Sequence, residues 1–498
     1  MELINNLYLG FGSAFSMINI WYCFLGILVG TTVGVLPGIG PIAAIAMLLP
    51  ITYSMGPAPA LIFLSAVYYG AQYGGSTSAI LLKIPGEASS LITVLDGNAM
   101  ALKGRAGAAI AIAAISSFVA GTVITLFIAA LAKPIAEIAF LFGPAEYALL
   151  MAIGLLLATV ITNESMLSSI GMVLLGLLLS TVGTDINTGV QRFTFGILEL
   201  YDGIAFVVLA VGMIGLGEIL YNTFHELDLK LYKKYRNQYP NKKEIKQSIG
   251  PTLRGTIVGG GLGLLPGVGA VMASFMSYVL ERKISRQPDS FGKGQPAGVA
   301  GPEAANNAAA QSNFIPMLSL GIPATPVMAL ILSALMVQNV VVGPSMLSSY
   351  PEIFWGLIAS MWMGNIMLLI VNLPLIPMWI KLLQVPRWIL YPLVAFACIL
   401  GTYYSNFLWT DVWLLLPFAI MGYSFKLLGC NPAPMALGFV IGPLFEDNLR
   451  KALLIHRGDW GVFFGSTTTL VIWTVTFALL ALWLAMYFYG SKIRGQAK

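Results

Sequence analysis

The run GVLPGIGP, Gly34 to Pro41, sets three glycines and two prolines within eight residues of one of the most apolar stretches of the chain. A nearly matching run, GLLPGVGA, returns at Gly263 to Ala270. Proline inside a helix deletes a backbone hydrogen bond and clashes with the preceding turn, and glycine loosens the backbone further. Broken backbone at membrane depth persists only where protein buries it or where it lines a wet cavity. Each run is therefore either a kink that serves packing or the wall of a site, and the choice decides the fold.

The surroundings are membrane-like. The 498 residues are 58% hydrophobic and 9% charged, against about 25% charged in a soluble domain. Ala106 to Ala132 is one apolar run, longer than the roughly 20 residues that cross a bilayer. Length alone predicts roughly ten to twelve membrane segments. They are helical, because backbone facing lipid must satisfy its own hydrogen bonds. The fold class is an all-α polytopic membrane protein. The first Lys or Arg is Lys83, so the N-terminus lacks the positive start of a signal peptide. Cys23, Cys398 and Cys430 lie far apart without metal or disulfide spacing and read as small buried hydrophobes.

Charge placement gives the topology. Twelve of the 26 Lys and Arg fall between His225 and Lys293: Lys230, Lys233, Lys234, Arg236, Lys242, Lys243, Lys246, Arg254, Arg282, Lys283, Arg286 and Lys293. Basic residues mark the cytoplasmic side, so both flanks of GLLPGVGA look cytoplasmic. A re-entrant hairpin with Leu265, Pro266 and Gly267 near its tip satisfies that, and a single crossing does not. GVLPGIGP shows the opposite pattern, with no Lys or Arg from Met1 to Leu82. Lys103 and Arg105 follow the first Ser/Thr-rich segment, whereas Gly294 to Ile380 holds neither Lys nor Arg. Lys381, Arg387, Lys492, Arg494 and Lys498 place later returns and the C-terminus inside.

The chain repeats itself. LGILVGTTVGVLPGIGP (Leu25 to Pro41) aligns without gaps on RGTIVGGGLGLLPGVGA (Arg254 to Ala270), with Gly26, Gly30, Gly34, Pro37, Gly38 and Gly40 on Gly255, Gly259, Gly263, Pro266, Gly267 and Gly269. A second pair follows, Tyr68 to Ser89 and Asn306 to Pro326, anchored on Ile84-Pro85 and Ile322-Pro323. The opposed charge patterns make the repeats inverted. The expected organisation is a first membrane repeat over 1–222, a basic connector over 223–253 and a second repeat over 254–498. Broken elements are expected near 30–41, 70–90, 259–270 and 303–327. Paired Gly/Pro-interrupted segments in two inverted halves point to the binding site of a secondary transporter.

The polar residues in those segments are the candidate site. Among Gly74, Gly75, Ser76, Thr77 and Ser78, the three hydroxyls can serve a carboxylate or a cation. Asn306, Asn307, Gln311, Ser312 and Asn313 form the densest amide cluster in the sequence. Ordinary interhelical hydrogen bonding also explains such residues. Pro37, Gly38, Gly40, Pro266, Gly267 and Gly269 would form the breaks and could contribute freed carbonyls to an ion. Sodium suits hard, uncharged oxygens of this kind. Lys83 has two readings, a cationic partner for an anionic substrate, with Glu87 its own ion partner, or a side chain snorkelling to the interface. Glu164 lies near an interface rather than at depth, and Asn163 beside it could cap a helix. His225 and His456 sit in loop-like sequence. Without paired intramembrane aspartates, a His-Glu-x-x-His run or a Ser-His pair, an enzyme is not expected, nor is an organic cofactor or a nucleic-acid partner. A static channel remains the alternative to a transporter.

The paired Leu-Pro-Gly-x-Gly elements resemble the large membrane subunit of the tripartite tricarboxylate transporters. So do YGGSTSAILLKIPG (Tyr73 to Gly86), EAANNAAAQSNFIPMLSLGIP (Glu303 to Pro323), RFTFGILELYDG (Arg192 to Gly203) and GPLFEDNLRKAL (Gly442 to Leu453). The resemblance implies a permease of the bacterial inner membrane. It implies a small membrane subunit and a periplasmic solute-binding protein as partners. It further implies import of citrate-like or other carboxylates on an ion gradient, with sodium as coupling ion.

Overall fold

A computed structural model of the chain describes residues 2–36, 40–83, 86–160, 165–185, 188–225, 239–265, 269–375, 378–379, 391–392, 395–396, 398–400, 402–403 and 407–477. Pro37, Gly38, Pro266 and Gly267 lie outside the described residues. So do Ile84, Pro85, Asn163, Glu164, positions 226–238 of the basic connector, and Lys381, Arg387, Lys492, Arg494 and Lys498.

The fold is helical, as the hydropathy demands. In chain order the helices are α1 (Glu2–Ala14), α2 (Met17–Val35), α3 (Gly40–Leu48), α4 (Pro57–Leu82), α5 (Ala106–Ala139), α6 (Pro144–Val160) and α7 (Met166–Ser180). Next come α8 (Phe206–Leu209), α9 (Gly217–Phe224), α10 (Lys242–Gly263), α11 (Gly269–Ile284), α12 (Ala297–Ser312), α13 (Phe314–Leu320) and α14 (Pro326–Val337). Then follow α15 (Met346–Ser349), α16 (Pro351–Asn372), α17 (Trp409–Leu427), α18 (Ala433–Ile455) and α19 (Val462–Gly465), and a further apolar helix spans Thr467–Phe477. A two-rung antiparallel ladder, β1 (Gly183–Thr184) with β2 (Gln191–Arg192), interrupts them.

Burial is arranged as lipid requires. Ile257, Leu126 and Trp413 are exposed on the outer faces of their helices, while Ser76, Glu303, Asn306 and Gln311 are buried inside. Water would favour the reverse. Among the described residues four helices are long and apolar enough to cross a membrane: Met17–Val35, Ala101–Ile138, Phe206–Phe224 and Pro351–Asn372. Five shorter apolar helices accompany them. The count falls below the sequence expectation partly because the breaks cut apolar stretches into pieces. Gly40–Ser54 starts at the first break, and Pro326–Val337 starts just past Gly321.

Two helix pairs built alike form the centre. Gly26, Gly30 and Gly34 recur every fourth residue and so line one face of α2. That face lies on the α4 backbone: a Cβ on these glycines would stand 2.6, 2.2 and 2.2 Å from the carbonyl oxygens of Phe63, Val67 and Ala71. Gly255, Gly259 and Gly263 of α10 meet the carbonyls of Gly301, Ala305 and Ala309 of α12 at 2.3, 2.2 and 2.5 Å in the same sense. Small residues at four-residue spacing let helix backbones approach where lipid supplies no hydrophobic drive. The spacing in the sequence is thus read out directly as packing.

The described residues beside the aligned runs repeat their backbone conformation. Gly40 and Gly269 open α3 and α11 with left-handed φ of 64° and 61°. Lys83 ends α4 at φ 62°, and its counterpart Gly321 ends α13 at φ 72°. Glu87 and its counterpart Thr325 then share one extended conformation, φ/ψ −142°/163° and −143°/163°. The GGSTSA run itself does not interrupt α4. Thr77 donates to the Tyr73 carbonyl and Ser78 to that of Gly75, within the helix, whereas the single Ser76 proton has the Gln72 carbonyl at 3.1 Å and the closer Glu303 carboxylate at 2.7 Å. The chain turns away only at Lys83.

The two motif runs quoted last in the sequence also meet. Arg192 after α7 donates to Glu446 of α18 at 2.8 Å, and Arg450 bridges Asp185 and Glu446 at 3.1 and 2.6 Å.

Candidate substrate and ion site

The breaks converge in pairs. Gly86 packs between the two segments that precede it: a Cβ there would stand 2.0 Å from the Gly34 carbonyl and 2.7 Å from the Gly75 Cα. A Cβ on Gly40 would lie 3.9 Å from the Gly86 carbonyl, and one on Gly269 would lie 3.6 Å from Thr325. The glycines that open α3 and α11 therefore lie beside Gly86 and Thr325 respectively.

Between these turns α4 and α12 bring together two buried carboxylates. Glu303 on α12 is 1% exposed. It accepts from Ser76 Oγ of α4 at 2.7 Å and from Thr93 Oγ1. Tyr73, Thr77 and Ser117 line a small void beside it. Glu87, at the turn after α4, accepts from Ser89 Oγ and, at 3.1 Å, from Asn306 Nδ2 of α12. Among the described residues neither carboxylate has an ion-pair partner. Burial of an uncompensated charge is expensive, so the pair calls for cations or protons to accompany it.

The remaining candidates are distributed as follows. Asn307 donates to Ser117 Oγ of α5 at 2.7 Å and to the Glu303 carbonyl at 3.1 Å. Gln311 accepts from Thr125 at 2.8 Å and donates to Asn365 of α16 at 3.0 Å. Ser312 bonds back to Ala308 at 2.9 Å and packs over Gly263. Asn313 is fully buried at the α12–α13 junction, and neither of its side-chain polar atoms has a hydrogen-bond partner. Gly74 faces the α2 backbone, where a Cβ would stand 2.4 Å from the Thr31 carbonyl, so its open side is filled by packing. Gly75 faces Glu87, whose Cγ would stand 2.8 Å from a Cβ there. Lys83 is exposed at the end of α4 and does not pair with Glu87, whose Oε1 accepts from both Ser89 and Asn306. The two were expected to be ion partners. The left-handed turn at Lys83 carries the chain on to Glu87 while the lysine stays outside.

Sequence reasoning passed over Glu303, Thr93 and Asp96. Glu303 had a signal, since it and Glu352 are the only charges from Gly294 to Ile380, and an ionisable residue in such a stretch is a functional candidate. Asp96 had none. It is fully buried and accepts from Tyr278 Oη at 3.0 Å and from the backbone N–H groups of Gly292, Gly294 and Gln295 at 3.0, 2.8 and 2.7 Å. Four donors hold the turn before α12 onto the segment after α4. Arg254 and Glu281 likewise clamp α10 to α11 through two parallel bonds of 2.7 Å.

Comparison with known proteins settles the class. Residues 20–437 match the tripartite tricarboxylate transporter TctA family, a span that holds both broken repeats and both buried carboxylates. The chain belongs to that family. It is therefore a membrane component of a tricarboxylate transport system that works with partner subunits, and the family is one of transporter components rather than enzymes. Two relatives come from Agrobacterium vitis. An uncharacterized 52.8 kDa protein in the TAR-I ttuC' 3' region is 52% identical over 464 residues, which cover 93% of this chain and 92% of the relative. An uncharacterized protein in the TAR-II ttuC' 3' region is 52% identical over 202 residues, 41% of this chain and 84% of the relative. No solved structure matches the chain.

Proposed function

We propose that the chain is the permease of an ion-coupled importer of tricarboxylates or related carboxylates. The observation that carries this reading is that Glu303 meets Ser76 and Glu87 meets Asn306, with no ion-pair partner for either carboxylate among the described residues. A site that already holds two buried acids admits a polyanion only together with cations, and that requirement couples the two fluxes. Sodium is the proposed ion, because hydroxyl, amide and carboxylate oxygens are the ligands that hard cations favour.

The two halves are proposed to be inverted repeats whose broken helices form re-entrant hairpins. The equivalent glycine rungs and the equivalent left-handed turns support this. Substrate arrives from a periplasmic binding protein and a small membrane subunit completes the assembly. The permease lies in the bacterial inner membrane with its basic connector and C-terminus in the cytoplasm. Loaded site residues then move between two exposures, the alternating access expected of such repeats.

Substrate counterflow tests the mechanism. Proteoliposomes holding this chain with its small subunit are preloaded with unlabelled citrate and diluted into labelled citrate with loaded binding protein. A transient overshoot of label inside is the expected result. Simple equilibration without overshoot contradicts a carrier and favours a channel.

A further inference from the structure

We infer that the basic end of the α10–α11 pair holds the headgroup of an anionic phospholipid, seated in a cavity between Lys246 and Arg254, with an acyl chain along the outer face of α10. This goes beyond the transport reading and does not depend on it.

The first ground is a cavity of about 370 Å³ enclosed by α10, the end of α11 and the segment that leads into α12. Its polar wall is Lys246, Gln247, Arg254, Ser285 and Gln295. Two cations, two amides and a hydroxyl can thus donate to one anion. The volume falls in the range of small-ligand sites, roughly 300–1,000 Å³. Gly250 leaves the space open. A Cβ there would stand 3.1 Å from Arg254 Nη1, so the guanidinium lies along the wall.

The second ground is charge. Arg254 donates to Glu281 through Nε and Nη2, which leaves Nη1 without a partner among the described residues. Lys246 is exposed and forms no ion pair or hydrogen bond among the described residues. Glu281 is the only acid lining the cavity and is matched by Arg254, so Lys246 leaves one positive charge uncompensated. The surroundings act in the same sense: positions 242–254 and 281–289 carry seven Lys and Arg against three Asp and Glu. A phosphodiester headgroup brings a single negative charge, and its oxygens suit Arg and Lys donors.

The third ground is the apolar row beside the cavity. Ile245, Ile249, Leu253 and Ile257 are exposed and recur every fourth residue, so they form one row on α10. Lys246, Gly250 and Arg254 each follow a member of that row by one residue, and at 3.6 residues per turn the two rows are neighbours. The apolar row runs away from the basic end for about 18 Å at 1.5 Å per residue. Ile284, in the cavity wall, is half-exposed as well. Basic pockets between membrane helices on the cytoplasmic side suit anionic lipid headgroups, and basic flanks mark that side. A free anion uses the polar wall alone, whereas a phospholipid uses both surfaces.

The test is thermal unfolding of the purified full chain in detergent at constant ionic strength. It is titrated separately with short-chain phosphatidylglycerol, phosphatidylcholine of the same chain length, inorganic phosphate and citrate. Ligand binding to the folded state raises the midpoint in a saturable way. The site predicts that rise for phosphatidylglycerol, and none for phosphatidylcholine, phosphate or citrate at the same concentrations. It predicts an apparent affinity for phosphatidylglycerol weakened at least about tenfold in Lys246→Glu and in Gly250→Leu, the second of which fills the cavity without changing any charge. Lys283→Glu makes the same charge change on an exposed residue outside the cavity wall and is expected to keep the wild-type affinity. Lys246→Glu alters an exposed side chain and keeps the test open if Gly250→Leu fails to fold. Equal rises with the two lipids overturn the site, as do wild-type affinities in both cavity variants. An equal response to phosphate or to citrate overturns it in favour of a free anion.

Discussion

Ser76 of α4 donates to Glu303 of α12 at 2.7 Å, joining residues 227 positions apart in the chain. The contact joins the polar helix α4 to the polar helix α12. A hydrogen bond to a charged group contributes about 1.5–3 kcal/mol, so its loss is large enough to read in function. Ser76→Ala is expected to lower the initial rate of citrate uptake about tenfold or more, with protein yield and chromatographic profile retained. Glu303→Gln is expected to abolish uptake. Near wild-type uptake by both variants removes this contact from the site.

The glycine rungs predict a contrast in stability. Gly30→Ala and Gly259→Ala each drive a Cβ to 2.2 Å from a carbonyl oxygen of the facing helix. Overpacking of this kind costs about 1–3 kcal/mol, occasionally more. Gly261 lies on the same helix as Gly259 with nothing within 4 Å of its Cβ position. There the alanine gains roughly 0.5–1 kcal/mol of helix propensity. Melting midpoints in detergent are expected to fall for the first two variants and to hold or rise for Gly261→Ala. Equal effects at Gly259 and Gly261 contradict the packing described.

Only part of this arrangement was legible in the sequence. The gapless alignment of Leu25–Pro41 with Arg254–Ala270 marked where α2 and α10 end, whereas the seating of their glycine faces on α4 and α12 was not read from the spacing. The continuity of α4 through Ser76 was less accessible, because hydroxyls that bond back within a helix look in sequence like hydroxyls that break one. The partners of Glu87, Glu303 and Asp96 were not legible. Apart from Ser89, two residues from Glu87, each lies at least 182 positions away, and periodicity carries no information at that range. The pairing of Lys83 with Glu87 was misread because proximity in sequence says nothing about direction once a left-handed residue stands between two side chains.

That residue gives a third prediction. Lys83 holds φ 62° where its repeat counterpart is Gly321. A non-glycine residue in the left-handed region costs about 1–2 kcal/mol. Lys83→Gly is expected to keep uptake and to raise the melting midpoint slightly, because the lysine is exposed and outside the carboxylate cluster. Loss of uptake with intact folding returns Lys83 to the role of substrate cation.

Asp96 supplies a fourth. Its carboxylate answers three backbone N–H groups and the Tyr278 hydroxyl. Removing it strands those donors, at about 1–3 kcal/mol for each buried group left unsatisfied. Asp96→Ala is expected to be strongly destabilised and to become sensitive to protease near Gly292 to Gln295, where the wild type is protected. Gly298→Ala presses a Cβ to within 2.1 Å of Asp96 Oδ2 and is expected to produce a milder form of the same defect. Wild-type protease resistance in Asp96→Ala shows that the turn is held by something else.

The central claim is that cation flux drives carboxylate import through this chain. The most direct measurement is accumulation of labelled citrate in proteoliposomes holding the chain and its small subunit, with loaded binding protein outside, under an inward sodium gradient and under a matched potassium gradient. The account predicts an internal concentration above the external one with sodium, none with potassium, and no accumulation in Glu303→Gln under either. Uptake that merely equilibrates, or that proceeds equally under both gradients, contradicts it.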